Sequence, residues 1–358
     1  MLRIWGGGIY EDPAFFELCD QHGILVWSDF MLACGIYPQT KAFLSAMAQE
    51  ADEVLKTYRN CTSIALWSGD NENGQAYGWA GRPYEFESDR ISNQVLKEAC
   101  ARLDPRRYYL PTSPASPDPD FRGGDNPSSP YQGDLHLYIM SGDPGVTANR
   151  DYGKEYYKRV LGFRPRFMSE FGFISLPEKD SYYRFNVRRE PLRNPSEIIR
   201  FLPSTKQMLD EGRIEDVIHY SQLFNSMALK FWIEHFRSLK GVCAGSLYWK
   251  FNDPLADCPD VWMYPSHMCA VDMYLRPKMT YYYTRLAYDD VLVMLEEESG
   301  GWQAVVCNET DRPIEGTLRI EHRTFHGDLL WSREQAVFCG ADAAVHLGHV
   351  AKDELPVH

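Results

Sequence analysis

Short apolar runs alternate with longer stretches of helical rhythm through most of the chain. Leu2 to Trp5 predicts a buried strand, ended by Gly6-Gly7-Gly8. Asp12-Pro13 opens a helix through Cys19, with Asp12 as N-cap and Pro13 in the first turn, where its missing N–H goes unneeded. Gly23 to Trp27 reads as a second strand. From Lys41 to Tyr58 the apolar positions Phe43, Met47, Ala51, Val54, Leu55 and Tyr58 recur along one helix face. Ser63 to Trp67 and Arg107 to Leu110 predict further strands, with a helix over Ser88 to Leu103 between them. Asp134 to Tyr138 and Pro165 to Ser169 follow as strands. Ser196 to Lys240 is strongly helical with a break near Gly212, Val242 to Trp249 is the next strand, and Pro277 to Leu286 is a closing helix. The Pro-, Ser-, Gly- and Asp-rich stretch Pro111 to Gly133 reads as a long loop, a kind that usually carries function in a compact domain.

After Asp289 the period changes. Val291 to Leu295, Trp302 to Cys307, Gly316 to Ile320 and Ala336 to Phe338 predict strands joined by turns alone, the pattern of a β-sandwich. Residues 1–288 therefore form an alternating β/α domain and 289–358 a partial all-β domain. Alternating units build a parallel sheet, either open and doubly wound or closed as a (β/α)8 barrel. The count in the first region is seven strands, one short of a closed barrel.

Composition narrows the class. With 44% hydrophobic and 24% charged residues in 358, the chain has enough apolar surface to fold, which excludes a disordered protein. No apolar run approaches the ~20 residues of a bilayer span, and no basic-then-apolar leader is visible, so no membrane association is expected and the compartment stays open. A formal charge of −13 argues against a general nucleic-acid binder. The nine scattered cysteines, never spaced Cys-x-x-Cys, predict free thiols rather than a disulfide framework or a zinc ribbon. Phe, Trp and Tyr at 14% fit either a large aromatic core or a sugar-binding cleft, where rings stack on pyranose faces.

Candidate chemistry collects at strand ends. The second strand runs into Ser28-Asp29-Phe30, the third into Ser68-Gly69-Asp70-Asn71-Glu72-Asn73, the sixth into Ser169-Glu170-Phe171-Gly172 and the seventh into Trp249-Lys250-Phe251-Asn252-Asp253. In a parallel barrel these ends open on one face. A lone Glu at such a junction commonly caps a helix. Two of them, Glu72 and Glu170, also fit a retaining glycosidase pair, one protonated to release the leaving group and one ionised to attack. Rival signatures are weaker. There is no Gly-x-Ser-x-Gly, no His-Glu-x-x-His and no clustering of the ten His, so neither a catalytic metal nor a cofactor is expected. Gly6-Gly7-Gly8 lacks dinucleotide spacing and a P-loop Lys and predicts a tight turn.

These segments resemble the β-mannosidases of glycoside hydrolase family 2. The resemblance runs through Arg3 to Glu11, Leu18-Cys19-Asp20, Gly23 to Met31, Ile64 to Glu72, Arg166 to Phe173 and Tyr248 to Asp253, in the family's order. It implies a (β/α)8 TIM barrel followed by part of an immunoglobulin-like sandwich. It also implies a retaining exo-hydrolase that releases terminal β-D-mannose from oligosaccharides or β-mannosides. Glu72, after Asn71, would be the acid/base with a raised pKa, and Glu170 the ionised nucleophile. Asn71 would bond the sugar 2-hydroxyl, and Trp5, Asp29, His136, Tyr138, Trp249 and Asn252 would line the pocket. Asp70 stands where many relatives have Asn and puts a second carboxylate near Glu72. The family's upstream domains and first barrel strand are expected outside this sequence. Without them, two unpaired strand edges are expected, with low stability or activity of this chain alone. A sibling exo-β-glycosidase (galactosidase, glucuronidase or glucosaminidase) and an inactive carbohydrate-binding remnant stay open beside this reading.

Overall fold

Each of the first four apolar runs becomes a strand in register with the next. In a computed structural model, which describes residues 1–83, 89–115, 132–138, 153–185, 198–199, 202–253 and 268–356, β1 (Leu2–Ile4), β2 (Val26–Asp29), β3 (Ile64–Ser68) and β4 (Tyr108–Leu110) form one parallel sheet in chain order. Arg3 sits opposite Trp27, Asp29 opposite Ser68, and Leu66 opposite Tyr108. The connections are helices α1 (Pro13–His22), α2 (Lys41–Tyr58) and α3 (Asn73–Trp79), then a π-helical turn over Ile91–Leu96 that runs into α4 (Lys97–Leu103). A second parallel pair, β5 (Leu135–Leu137) and β6 (Met168–Phe171), sets His136 opposite Glu170. Residues 1–137 with 165–171 make one compact unit, and 138–164 with 172–358 make another.

Local chemistry explains most boundaries. Asp12 caps α1 by accepting from the Ala14 N–H at 2.8 Å, and Thr40 caps α2 by accepting from Phe43. The expected strand at Gly23 begins only at Val26. Gly23 adopts a left-handed φ of 66° and the Ile24 N–H bonds the Cys19 carbonyl, so these residues finish α1. The face of α2 buries Leu44, Met47, Ala51, Val54 and Leu55, while Phe43 and Tyr58 lie at its half-buried margin. With Val26, Phe30, Trp67 and Leu96 they form the first unit's core, each large side chain contributing about 1.5–3 kcal/mol on burial.

Three departures bear on function. The helix expected over Ser88 to Leu103 contains the π turn, and α3, which the pattern did not predict, starts directly at Asn73. The strand expected over Pro165 to Ser169 starts at Met168 and continues to Phe171, which takes Glu170 into the sheet. Of the loop Pro111 to Gly133, residues 116–131 lie outside the described residues.

The second unit contains α5 (Lys179–Phe185), α6 (Thr205–Asp210), α7 (Ile214–Ser238), β7 (Ser246–Tyr248) and α8 (Met279–Ala287), followed by antiparallel strands. Gly212, with φ 71°, separates α6 from α7, as the break in the pattern predicts. β8 (Val291–Glu298), β9 (Gly301–Asn308) and β12 (Ala343–Ala351) form one sheet in the order β12-β9-β8, and β10 (Ile314–Arg323) pairs with β11 (Leu329–Cys339). β12 escaped the sequence reading because its alternation is broken by an irregularity between His346 and His349. The strands are tied to α7: the Cys307 thiol bonds the Arg237 carbonyl, and His346 Nε2 lies 3.2 Å from the Ser238 carbonyl.

Lys278, fully buried before α8, donates from Nζ to the Ser175 carbonyl at 3.1 Å. Burial pulls its ammonium from 10.5 down to about 8, against the opposing pull of neighbouring acidic groups. Between those two values the unfolded chain binds the proton that the fold refuses, so stability rises with pH across that window. The gap corresponds to roughly 3 kcal/mol. Urea unfolding at pH 7 and pH 9.5 should therefore show wild type gaining on Lys278→Met at the higher pH; a constant difference would contradict this account.

Candidate active site

The site begins with an arginine inside an apolar strand. Arg3 in β1 points at Asp29, the last residue of β2, and donates from Nη2 at 2.8 Å and from Nε at 3.3 Å. Asp29 has no exposed surface, and it also accepts from the Gly6 N–H at 3.0 Å and Trp27 Nε1 at 2.9 Å. The glycine run thus brings backbone up to a buried carboxylate: a Cβ on Gly6 would lie 2.4 Å from the Leu32 carbonyl oxygen. Burial pulls the guanidinium's pKa down, but Asp29 and then Glu170 more than reverse that, and Arg3 stays charged. Its remaining N–H groups reach the site: Nη1 donates to Glu170 Oε2 at 3.0 Å, and Nη2 to Asn71 Oδ1 at 2.9 Å.

Glu72 arrives from the other side. It sits between β3 and α3 with φ 58° and ψ 19°, a left-handed conformation that disfavours any residue with a Cβ. The turn is pinned by the Glu72 N–H on the Ser113 carbonyl and by Asp70. Fully buried, Asp70 accepts from Ser92 Oγ and Thr112 Oγ1, both at 2.5 Å, and from the Asn73 N–H at 3.2 Å. Burial, then the charge of Asp89, pushes its carboxyl up to about 7. The π turn has a local consequence here, since it carries the serine that meets Asp70.

His136 joins the two glutamates. Its Nδ1 is 2.8 Å from Glu72 Oε1 and 3.6 Å from Glu170 Oε2, and one ligating atom from each of the three lies within 4.8 Å of the others. Nε2 is 3.0 Å from Ser113 Oγ, which donates to Asp134 Oδ2 at 2.7 Å. Ser169 donates to the same oxygen at 2.6 Å. Burial pulls the imidazole down, yet the charge of Glu170 and the bond to Glu72 leave it net raised. For Glu72 burial pushes upward, but the His136 bond and charge, with help from Arg3, bring it below its ordinary value. This differs from the expectation of a raised Glu72: in the protein without substrate its carboxyl is drawn below the ordinary range by the imidazole it bonds. The same three side chains offer the donors of a metal site. Arg3 already places a positive charge against Glu170, which suits a proton-transfer cluster better than a cation.

The other expected residues fall in two groups. Trp5 is half-buried, and a Cβ on Gly7 would come within 2.1 Å of its ring. Asp29 supplies no surface to a pocket and holds Arg3 instead. Tyr138, Trp249 and Asn252 belong to the second unit, where Tyr138 and Trp249 are half-buried, Asn252 is exposed and Lys250 Nζ lies 5.7 Å from the Trp249 ring. Sequence reasoning missed Arg3, Ser113 and Asp134. Arg3 had a signal, a charge between Leu2 and Ile4 in a buried run.

No family model matches the chain. β-Mannosidase B of Thermothelomyces thermophilus is 32% identical over 320 residues, covering 79% of this chain and 34% of that protein. The β-mannosidase of Bos taurus is 29% identical over 321 residues, with the same two shares. The chain thus spans about a third of the length of the curated relatives it matches. Among solved structures, the β-D-mannosidase of Dictyoglomus thermophilum superposes with TM-score 0.81 at 31% identity, over 99% of this chain and 42% of that one. The exo-chitosanase CsxA of Amycolatopsis orientalis has TM-score 0.63 at 15% identity, over 97% of this chain and 40% of that one, a likeness of fold alone.

Replacing Arg3 by Met leaves Asp29 charged and buried without its ion-pair partner. Urea denaturation should read a loss of about 3–5 kcal/mol, and adding Asp29→Asn should recover part of it. Additive losses would refute the coupling.

Proposed function

We propose that this chain, by sequence a relative of the β-mannosidases, carries the catalytic centre of a retaining exo-glycoside hydrolase that releases terminal β-D-mannose. The observation that carries the reading is the approach of Glu72 and Glu170, with carboxylate oxygens within 4.8 Å across His136. Double displacement needs its carboxyl groups about 5–5.5 Å apart, and inversion needs more room for a water.

Glu170 is the nucleophile. Arg3 grips its Oε2 and so aims the carboxylate at the anomeric carbon, to which it bonds as the glycosidic C–O bond breaks. Glu72 delivers the proton to the departing oxygen, drawing it from the pair it makes with His136, and then takes a proton from the water that releases the sugar. Asn71, oriented by Arg3 on its Oδ1, turns an amide N–H towards the sugar 2-hydroxyl, an interaction that strengthens in the oxocarbenium-like transition state. Trp5 is the pocket residue that the first unit supplies in this reading. Residues 1–288 belong in it to a (β/α)8 barrel and 289–358 to an immunoglobulin-like sandwich.

Glu170→Gln should abolish turnover of every glycoside while leaving sugar binding measurable by calorimetry; unchanged turnover defeats the assignment. Glu72→Gln should slow substrates with poor leaving groups by about 10²–10⁴-fold but spare dinitrophenyl glycosides, which need no protonation. A panel of p-nitrophenyl β-glycosides decides the sugar: mannoside should lead, and a preference for galactoside, glucuronide or glucosaminide would move the chain to a sibling activity.

A further inference from the structure

Among the described residues, four other than glycine have a left-handed backbone: Cys34 (φ 51°), Glu72 (φ 58°), Leu275 (φ 60°) and Asp342 (φ 49°). Two of the four touch each other at the candidate site. Cys34 Sγ lies 3.6 Å from Glu72 Oε2 and 3.4 Å from Asn71 Nδ2. Strain of this kind persists only where surrounding structure enforces it, and here the enforcement is visible. The segment after β2 is bonded to the segment after β3 by the Asn71 N–H on the Leu32 carbonyl, the Cys34 N–H on the Asn71 carbonyl and the Gly35 N–H on Asn73 Oδ1. Both segments are bent so that the thiol meets the carboxylate. A thiol can donate weakly through hydrogen and accept weakly through sulfur, and this one has an acceptor on one side and a donor on the other. Cys34 is an exposed residue, whereas Asn71 is buried and Glu72 half-buried.

From this juxtaposition we propose that Cys34 is a positioning residue for the reaction: its S–H fixes the carboxylate of Glu72 and its sulfur fixes the amide of Asn71. The proposal deepens the reading of Glu72 as acid/base and rests on it. Asn71 is then held at both ends, by Arg3 on Oδ1 and by Cys34 on Nδ2, which leaves its orientation no freedom to invert. Glu72 is likewise held at both oxygens, by His136 on Oε1 and by Cys34 on Oε2.

The test uses the protein as it occurs, with Cys34→Ala, Cys34→Gly and Cys34→Ser. Glycine accepts the left-handed backbone, so it removes the thiol without a folding penalty if alanine folds poorly. For β-mannosides with poor leaving groups, kcat/KM should fall about tenfold in the Ala and Gly variants, and dinitrophenyl β-mannoside, which needs no protonation and feels only the loss at Asn71, should fall by a clearly smaller factor. The alkaline limb of the kcat/KM profile should move to higher pH, because a donor to the ionised form of Glu72 has been lost. Serine, which keeps a donor and an acceptor, should restore both. Equal losses on good and poor leaving groups with an unmoved limb would mean packing alone and overturn the proposal, as would no loss at all. Wild-type protein that hydrolyses no β-mannoside would instead defeat the reading of the site, a result separable from any behaviour of the variants.

Discussion

The site is organised around the ion pair between Arg3 and Asp29. A guanidinium and a carboxylate taken out of water have to satisfy each other, and Asp29 has no exposed surface through which solvent could do so. That necessity fixes the rest. The Gly6 N–H and the Trp27 indole complete the carboxylate, which draws the chain after β1 across the end of β2. With Asp29 taking one edge of the guanidinium, the other N–H groups are left to hold Glu170 and Asn71, residues far apart in sequence. One buried charge thus sets the distance between elements that no local propensity would bring together.

A second layer of control comes through His136. Its imidazole contacts both glutamates through one nitrogen and faces Ser113, backed by Asp134, through the other. The imidazole therefore links the two carboxylates in one cluster, and a change at one is felt at the other. The pattern explains how Glu72 can sit below its ordinary value although it is largely buried: the His136 bond and charge outweigh the burial.

Much of this was legible in the residues, and what was hidden has physical reasons. The helix over Lys41 to Tyr58 followed from its apolar period, and its limits are those of the structure. The parallel strands followed from apolar runs, although the one expected at Gly23 starts later because cap geometry outweighs hydrophobicity at a helix end, and the one expected at Pro165 starts at Met168. Glu72 and Glu170 could be picked out by their place beside Asn71 and Phe171, but their approach depends on the His136 to Glu170 register, which no one-dimensional pattern encodes. Asp29 was misplaced as pocket lining because a carboxylate at a strand end looks the same whether it faces sugar or an arginine. The π turn was invisible because it changes the hydrogen-bond step and not the composition.

In the second unit, the fastening of the last strands to α7 limits how the chain can be divided. Cys307, on β9, is fully buried and bonded to Arg237, and the Arg237 side chain in turn donates to the Ala287 carbonyl at the end of α8. A gene cut after residue 288 would therefore not release two self-sufficient pieces. It would strip the cover from one flank of α7 and hand the excised strands an unclad apolar side, so any evolutionary exchange of these strands has to rewrite that helix as well.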